Sequence, residues 1–126
     1  MIELSKLGER FENEAGWIQN LVEQPISGAA VIVSKAGSSR SHHWHRQDGH
    51  FLFVESGCMR YVERLPSGET VQREVLPGEM VWTGPGVEHS SYFPVETRML
   101  SFSLRARTHD AHEADLVRVE PLPWIE

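Results

Sequence analysis

Short hydrophobic runs, rather than helical stripes, dominate the pattern along the chain. Runs rich in β-branched and aromatic residues recur at short intervals, among them AAVIVS, HFLFVES, RYVERL, EMVWT and TRMLSFSL. Segments rich in turn-forming residues separate them, including KAGSS, QDGH, LPSGE and TGPG. Many short strands with this spacing predict an all-β sandwich or barrel.

Helical periodicity is weak, and only one short helix is predicted, near the C-terminal end. Asp110 precedes Glu113 by three residues, the spacing of a capping box, at the start of the segment AHEADL. No apolar run reaches the roughly 18 residues that a membrane span needs. The 126 residues suit one domain over 1–126 with one hydrophobic core.

Composition and charge limit which functions and locations are expected for the protein. The net charge of −6 opposes nucleic-acid binding, although the cations are ten Arg against two Lys, a bias suited to binding carboxylates or phosphates. The acidic, polar start MIELSKLGERFENE does not resemble a secretory signal, and the single cysteine, Cys58, cannot form an internal disulfide. We therefore expect a cytoplasmic protein in which Cys58 is a small buried side chain rather than a nucleophile.

The segment SHHWHRQDGH holds four of the seven histidines. Asp48-Gly49, between two strand-like runs, predicts a two-residue hairpin turn with positive φ at both positions. In that register His43, His45 and His50 point to one face, and His42 points to the other. Diagonal cross-strand neighbours lie about 7 to 8 Å apart, so three imidazoles can converge on one ion.

The spacing of these histidines matches a known motif. Gly37, His43, His45, His50 and Gly57 form an ordered series that resembles the first motif of the cupin superfamily, G-x5-H-x-H-x4-E-x6-G, with His50 in place of the glutamate.

A second segment, GEMVWTGPGVEHSSYF, resembles the second cupin motif, G-x5-P-x-G-x2-H-x3-N. Gly78, Gly86 and His89 match in place, whereas Gly84 stands for the motif's proline and Phe93 for its asparagine. The two motifs and their spacer cover about 37–93. The resemblance implies a double-stranded β-helix, the jelly-roll barrel of the small RmlC-like cupins, enclosing a cavity.

The resemblance also implies a metal site. The family's ligand positions fall on His43, His45, His50 and His89. Because imidazole replaces the carboxylate, the site is all-nitrogen, which disfavours Mg²⁺ and Ca²⁺. The predicted cofactor is a divalent transition metal: Fe, Ni, Zn, Mn or Cu. The alternative is that His50 is not a ligand and that the metal has been lost.

Three functions are compatible with the sequence. The first is a metal-dependent enzyme, of oxygenase, isomerase or lyase type, on a small polar or anionic metabolite. The second resembles the cupin epimerases and ketoisomerases of sugar nucleotides, in which His43 or His89 would be the base without need of a metal. The third is a cupin that binds a small molecule without turnover.

Two further expectations concern the flanks of the motifs. The apolar segments AAVIVS and LPWIE offer surface for a second copy, so we predict a homodimer with no nucleic-acid or membrane partner. His109 and His112, in the polar stretch THDAHEADL, are predicted to be solvated.

Overall fold

The computed structural model describes residues 2–126, which form antiparallel strands and one short helix. The strands are β1 (Arg10–Asn13), β2 (Gly16–Gln19), β3 (Gly28–Ser34), β4 (Ser38–His45), β5 (His50–Ser56), β6 (Met59–Arg64), β7 (Thr70–Val75), β8 (Met80–Thr83), β9 (His89–Phe93), β10 (Thr97–Ser103) and β11 (Leu116–Arg118). The helix α1 covers His109–Asp115. The predicted all-β class is confirmed.

Two sheets form the body of the molecule. One has four strands in the order β3-β10-β5-β8, and the other has five in the order β11-β4-β9-β6-β7. β1 and β2 form a separate hairpin. Every strand pair is antiparallel, and consecutive strands often lie in opposite sheets, which is the jelly-roll arrangement of a cupin. The predicted cupin fold is therefore confirmed.

The hydrophobic core lies between the two sheets. Val54 and Met99 contribute to it from the four-stranded sheet, and Tyr61 and Phe93 contribute from the five-stranded sheet. In β5 the buried positions alternate with more exposed ones, as a half-buried strand requires. Burial of this kind is the main driving force for closing the two sheets on each other.

The predicted hairpin at Asp48-Gly49 is wrong. β4 pairs with β9 and β11, whereas β5 pairs with β8 and β10, so the segment 46–49 crosses between the sheets. Gly49 is not among the residues with positive φ. Carboxylates satisfy the N–H groups of this turn: Asp115 accepts from Gln47 and Asp48, and Asp48 accepts from Gly49. The turn is thus held by a distant helix and not by a strand partner.

Two further predicted turns, LPSGE and TGPG, differ from each other. LPSGE joins β6 and β7, which pair as a hairpin. TGPG joins β8 to β9, which lie in different sheets. LPSGE is therefore a hairpin turn, whereas TGPG crosses between the sheets.

The predicted helix exists, but Thr108 caps it, not Asp110. The Thr108 hydroxyl accepts a hydrogen bond from the Ala111 N–H at 3.3 Å, and Asp110 lies in the first turn. A threonine at the N-cap satisfies one of the free N–H groups at the start of a helix. Within residues 2–126 no helix has the length and apolar character needed to cross a membrane.

Candidate functional site

A β-bulge in β4 orients the histidines of this strand. Ser41 pairs with Ser90 and His43 pairs with His89, so His42 is an extra residue without a partner on β9. Ser41 and His42 both have positive φ, at 74° and 56°. The His42 ring contacts the Ser90 and Ser39 hydroxyls outside the cluster described below, which agrees with its predicted exclusion.

His43, His45, His50 and His89 lie together between the sheets, and we call them the histidine cluster. Ring centroids are 4.7 Å apart for His43 and His45, 4.8 Å for His43 and His89, and 5.8 Å for His45 and His89. One ring nitrogen from each of these three lies within 4.8 Å of the others. Two strands of one sheet therefore hold three nitrogens at the spacing of a metal site.

His50 reaches the cluster from the opposite sheet. Its ring centroid lies 5.2 Å from that of His45 and 5.6 Å from that of His89. It is not a member of the 4.8 Å triple. The predicted fourth ligand is therefore adjacent to the triple, and its role as a ligand stays a prediction.

Buried ring nitrogens without hydrogen-bond partners mark the cluster. Within residues 2–126, they include Nδ1 of His50 and the Nε2 atoms of His45 and His89. The second nitrogen of His89, Nδ1, lies 2.9 Å from the Val87 carbonyl oxygen, which holds the ring as the tautomer with a free lone pair on Nε2. Buried polar atoms are almost always paired, so these nitrogens indicate a missing partner such as a cation or a substrate.

Asp115 lies behind His45. Its Oδ2 is 3.3 Å from His45 Nδ1, while its two carboxylate oxygens accept the backbone N–H groups of Gln47 and Asp48. A carboxylate behind one nitrogen of an imidazole and a lone pair on the other nitrogen is the usual arrangement around histidine metal ligands.

Burial keeps the histidines neutral. Desolvation, reinforced by the charges of neighbouring histidines, lowers the pKa of His43 to about 3, and desolvation lowers that of His89 to about 4. Burial also places the pKa of His50 well below its usual value. For His45 burial lowers the pKa, and the nearby Asp115 carboxylate opposes that shift. Neutral imidazole is the form that binds metals and accepts protons.

A cavity of about 260 Å³ opens beside the cluster. Its walls consist of apolar side chains, serines, histidines and two arginines: Ile32, Arg40, Ser41, His43, His50, Leu52, Ser91, Phe93, Met99, Arg107 and His112. A second cavity of about 400 Å³ lies by α1 and the 46–49 turn, and His112 also lines this one. His112 therefore lies between the two.

The prediction that His112 is solvated is wrong. Its ring centroid lies 5.5 Å from that of His45 and 6.1 Å from that of His43, and its Nδ1 is buried without a partner. Burial, followed by the charge of Arg107, lowers its pKa. His109, one turn earlier, is exposed as predicted. A helix brings together residues three and four apart, so the pair His112 and Asp115 was the signal available in the sequence.

Tyr61 forms a buried hydrogen-bond network next to His89. The two ring centroids are 6.1 Å apart, and the Tyr61 hydroxyl donates to Glu63 Oε2 at 2.7 Å and also contacts the Thr83 hydroxyl. Burial raises the pKa of both Tyr61 and Glu63. This network packs behind the cluster rather than in the cavity lining.

No family model matches the sequence, and no curated protein does. Solved structures match the fold. The sugar 3,4-ketoisomerase QdtA from Thermoanaerobacterium thermosaccharolyticum, in complex with TDP, matches with a TM-score of 0.75 and 17% identity over 93% of this chain and 87% of that chain. The dTDP-4-dehydrorhamnose 3,5-epimerase from Sulfolobus tokodaii matches with a TM-score of 0.66 and 19% identity over 87% and 78%.

A third neighbour is a larger protein. CapF from Staphylococcus aureus, a capsular polysaccharide assembling protein, matches with a TM-score of 0.65 and 20% identity over 91% of this chain but 34% of CapF. CapF is also known in complex with the inhibitor 3-isopropenyl-tropolone. These matches show a common RmlC-like cupin fold. Because every identity is below 25%, the function has to be argued from the residues of the site.

Proposed function

On the basis of its RmlC-like cupin fold, we propose that the protein is a metal-dependent isomerase or epimerase that moves a proton next to the keto group of a small anionic substrate. The observation that carries the proposal is the set of buried ring nitrogens on His45, His50 and His89 that have no protein partner. The fold neighbours that isomerise or epimerise sugar nucleotides support the reaction class.

His43, His45 and His89 would hold the metal, and His50 is the fourth candidate ligand. Their donor set fits Fe, Ni, Zn, Mn or Cu better than Mg²⁺ or Ca²⁺, because imidazole is the ligand that transition metals prefer. When bound, such an ion supplies Lewis acidity that polarises a carbonyl group. Asp115 and the Val87 carbonyl orient two of the rings from behind.

His112 is the proposed proton carrier. It lines the cavity, and because burial lowers its pKa, its ring is neutral near pH 7. A neutral imidazole can take the proton from the hydroxyl-bearing carbon next to a carbonyl group and return it to the former carbonyl carbon, while the hydroxyl proton passes to the former carbonyl oxygen. The keto group moves by one carbon in this way without an external oxidant or reductant.

A second candidate function is the same proton transfer on a sugar nucleotide without a metal. The comparisons favour sugar-nucleotide substrates over other metabolites, since QdtA has been solved with TDP and with TDP-4-keto-6-deoxyglucose. Under this hypothesis the free ring nitrogens of the histidine cluster exchange protons with the substrate directly.

One experiment separates the two candidates. Protein purified without a nickel column is assayed for metal by plasma mass spectrometry, and for turnover of TDP-4-keto-6-deoxyglucose and of smaller keto-hydroxy acids, before and after chelation. The proposal predicts about one metal per chain and activity that chelation removes and metal restores. Full activity in the metal-free protein contradicts metal dependence and supports the second candidate.

The matched variants are His112→Gln and His109→Gln, on the same helix. The first is expected to keep the metal and lose about 10²- to 10⁴-fold in kcat, the usual contribution of a general base. The second, at an exposed position, is expected to keep both. If His112→Gln keeps full kcat, the proton carrier is another residue.

A further inference from the structure

Arg107 is a cationic side chain of the cavity beside the histidine cluster. It follows β10 and precedes α1, is half-buried, and lines the cavity with His43, His50 and His112. Burial is the main cause that lowers the pKa of each of these histidines, and the positive charge of Arg107 is a further cause. The guanidinium therefore lies close to the place where the proposed chemistry occurs.

The guanidinium has few partners of its own. Within residues 2–126 its hydrogen bond is from Nη1 to the Ser101 hydroxyl at 2.9 Å, and no carboxylate lies within 4.0 Å. A guanidinium has five N–H donors. By contrast Arg60, Arg64, Arg98 and Arg118 each pair with a glutamate. Burial without an anion lowers the pKa of Arg107, and Asp48 opposes this only partly.

The cavity lining supplies no anion. Among the described residues that line it, Arg40 and Arg107 are charged, and none is an Asp or a Glu. Arg40 is already engaged, because Nε donates to the Ser34 hydroxyl and Nη2 to the Val33 carbonyl. A half-buried guanidinium without an anionic partner, surrounded by neutral imidazoles, is energetically unfavourable. An oxyanion that enters the cavity would reverse this, because charge-assisted hydrogen bonds are strong where water is scarce.

We infer that Arg107 binds a carboxylate or phosphate group of the substrate inside the cavity, beside the histidine cluster. The inference rests on the proposed function in that the same cavity holds the reacting group. The volume of about 260 Å³ lies below that of pockets that enclose drug-sized ligands, so the part of the substrate inside this cavity is the oxyanion with its adjoining carbons. The substrate class is a keto or hydroxy compound whose carboxylate or phosphate group lies beside the histidine cluster.

The test measures oxyanion binding separately from metal and turnover. Thermal unfolding of metal-loaded and metal-free protein is followed while acetate, inorganic phosphate or TDP is added at constant ionic strength, with chloride as the reference. We expect the unfolding midpoint of the wild type to rise with acetate or phosphate, because an anion that binds only the folded protein stabilises it. A larger response to acetate indicates a carboxylate substrate, and a larger response to phosphate indicates a phosphorylated one.

Arg107→Gln is expected to weaken this binding at least tenfold, Arg107→Lys to keep part of it, and Arg105→Gln to leave it unchanged. Arg105 is the matched control because it is exposed, two residues away, and lines the second cavity of about 400 Å³ rather than the cavity beside the histidine cluster. Arg107→Gln is also expected to leave the unfolding midpoint without anion unchanged or raised, since it removes a half-buried unpaired charge.

Two results would overturn the inference: no response of the wild type to either small oxyanion, or an equal response of the Arg107→Gln variant. A response to TDP alone would also overturn it, because it would place the anion site outside this cavity. These outcomes are independent of the metal. Loss of metal dependence with an intact Arg107 effect defeats the proposed function only, whereas bound metal without an Arg107 effect defeats this inference only.

Discussion

Asp115 Oδ2 lies 3.3 Å from His45 Nδ1, although the two residues are 70 positions apart in the sequence. The carboxylate comes from the last residue of α1, and the imidazole comes from the last residue of β4. The same carboxylate accepts two backbone N–H groups of the turn after β4. One side chain therefore fixes the crossing between the sheets and orients a candidate ligand.

This relationship predicts a specific loss in Asp115→Asn. The amide can keep part of the hydrogen bonding to the turn, but it no longer offers a charged acceptor to His45 Nδ1–H. We therefore expect the affinity for metal to fall by about 10- to 100-fold. The measurement is competition with a chromophoric chelator. Asp110→Asn, an exposed position on the same helix, is the control and should bind like the wild type. Equal affinities for the two variants would remove Asp115 from the site.

The role of His50 is tested by His50→Gln. If His50 is a ligand, metal content in limiting metal should drop well below that of the wild type, whereas His112→Gln should retain it. Plasma mass spectrometry after dialysis gives both values. A His50→Gln protein with a full complement of metal would leave His43, His45 and His89 as a three-histidine site.

The metal-free protein is expected to lose stability in acid. The folded-state pKa values of His43 and His89, about 3 and about 4, lie below the usual value of about 6.5 expected in the unfolded chain. Between these limits the unfolded state binds more protons, so the free energy of unfolding decreases as pH falls from about 6.5 towards 3.

Urea titrations at a series of pH values measure this effect. The variant His43→Gln should reduce the pH dependence between about pH 4 and 6 by about one proton, and His109→Gln at an exposed position is the comparison. A pH dependence unchanged by His43→Gln would mean that this ring is already protonated in the folded protein.

Gly49 is required for close packing rather than for an unusual φ. A Cβ at this position would overlap the Trp82 indole and lie 3.2 Å from the Thr83 carbonyl oxygen. We expect Gly49→Ala to lower the free energy of unfolding by about 1 to 3 kcal/mol through overpacking. Denaturation in urea should show a smaller cost in a Trp82→Leu background, where the ring is gone. An identical cost in both backgrounds would point to backbone strain instead.

The edge of β3 predicts self-association. Among residues 2–126, β3 pairs on one side only, with β10, and its Val31 and Val33 side chains are 54% and 47% exposed. An unprotected apolar edge favours pairing with another chain. Sedimentation velocity should therefore show a dimer that Val31→Glu converts to a monomer, while Val95→Glu, at an exposed turn position, leaves it intact. A monomeric wild type would contradict the predicted homodimer.

The local sequence pattern was sufficient to predict most of the strands and the histidine cluster of the candidate site. The runs AAVIVS, HFLFVES, RYVERL and TRMLSFSL overlap with β3, β5, β6 and β10, because β-branched and aromatic residues favour the extended backbone of a strand. The motif spacing named the four histidines that lie together in the folded chain.

Only the tertiary structure decided how these strands pair and what surrounds the histidines. Asp48-Gly49 has the composition of a hairpin turn, yet Asp115 and Asp48 itself satisfy its N–H groups, so β4 and β5 separate into different sheets. The same long-range contacts bring α1 to the cavity and with it Arg107 and His112. The sequence alone determined which residues are strand-like and which histidines carry candidate ligand nitrogens, because those properties are local. It could not determine their neighbours, because hydrogen bonds between residues nearly 70 positions apart depend on the whole closed barrel.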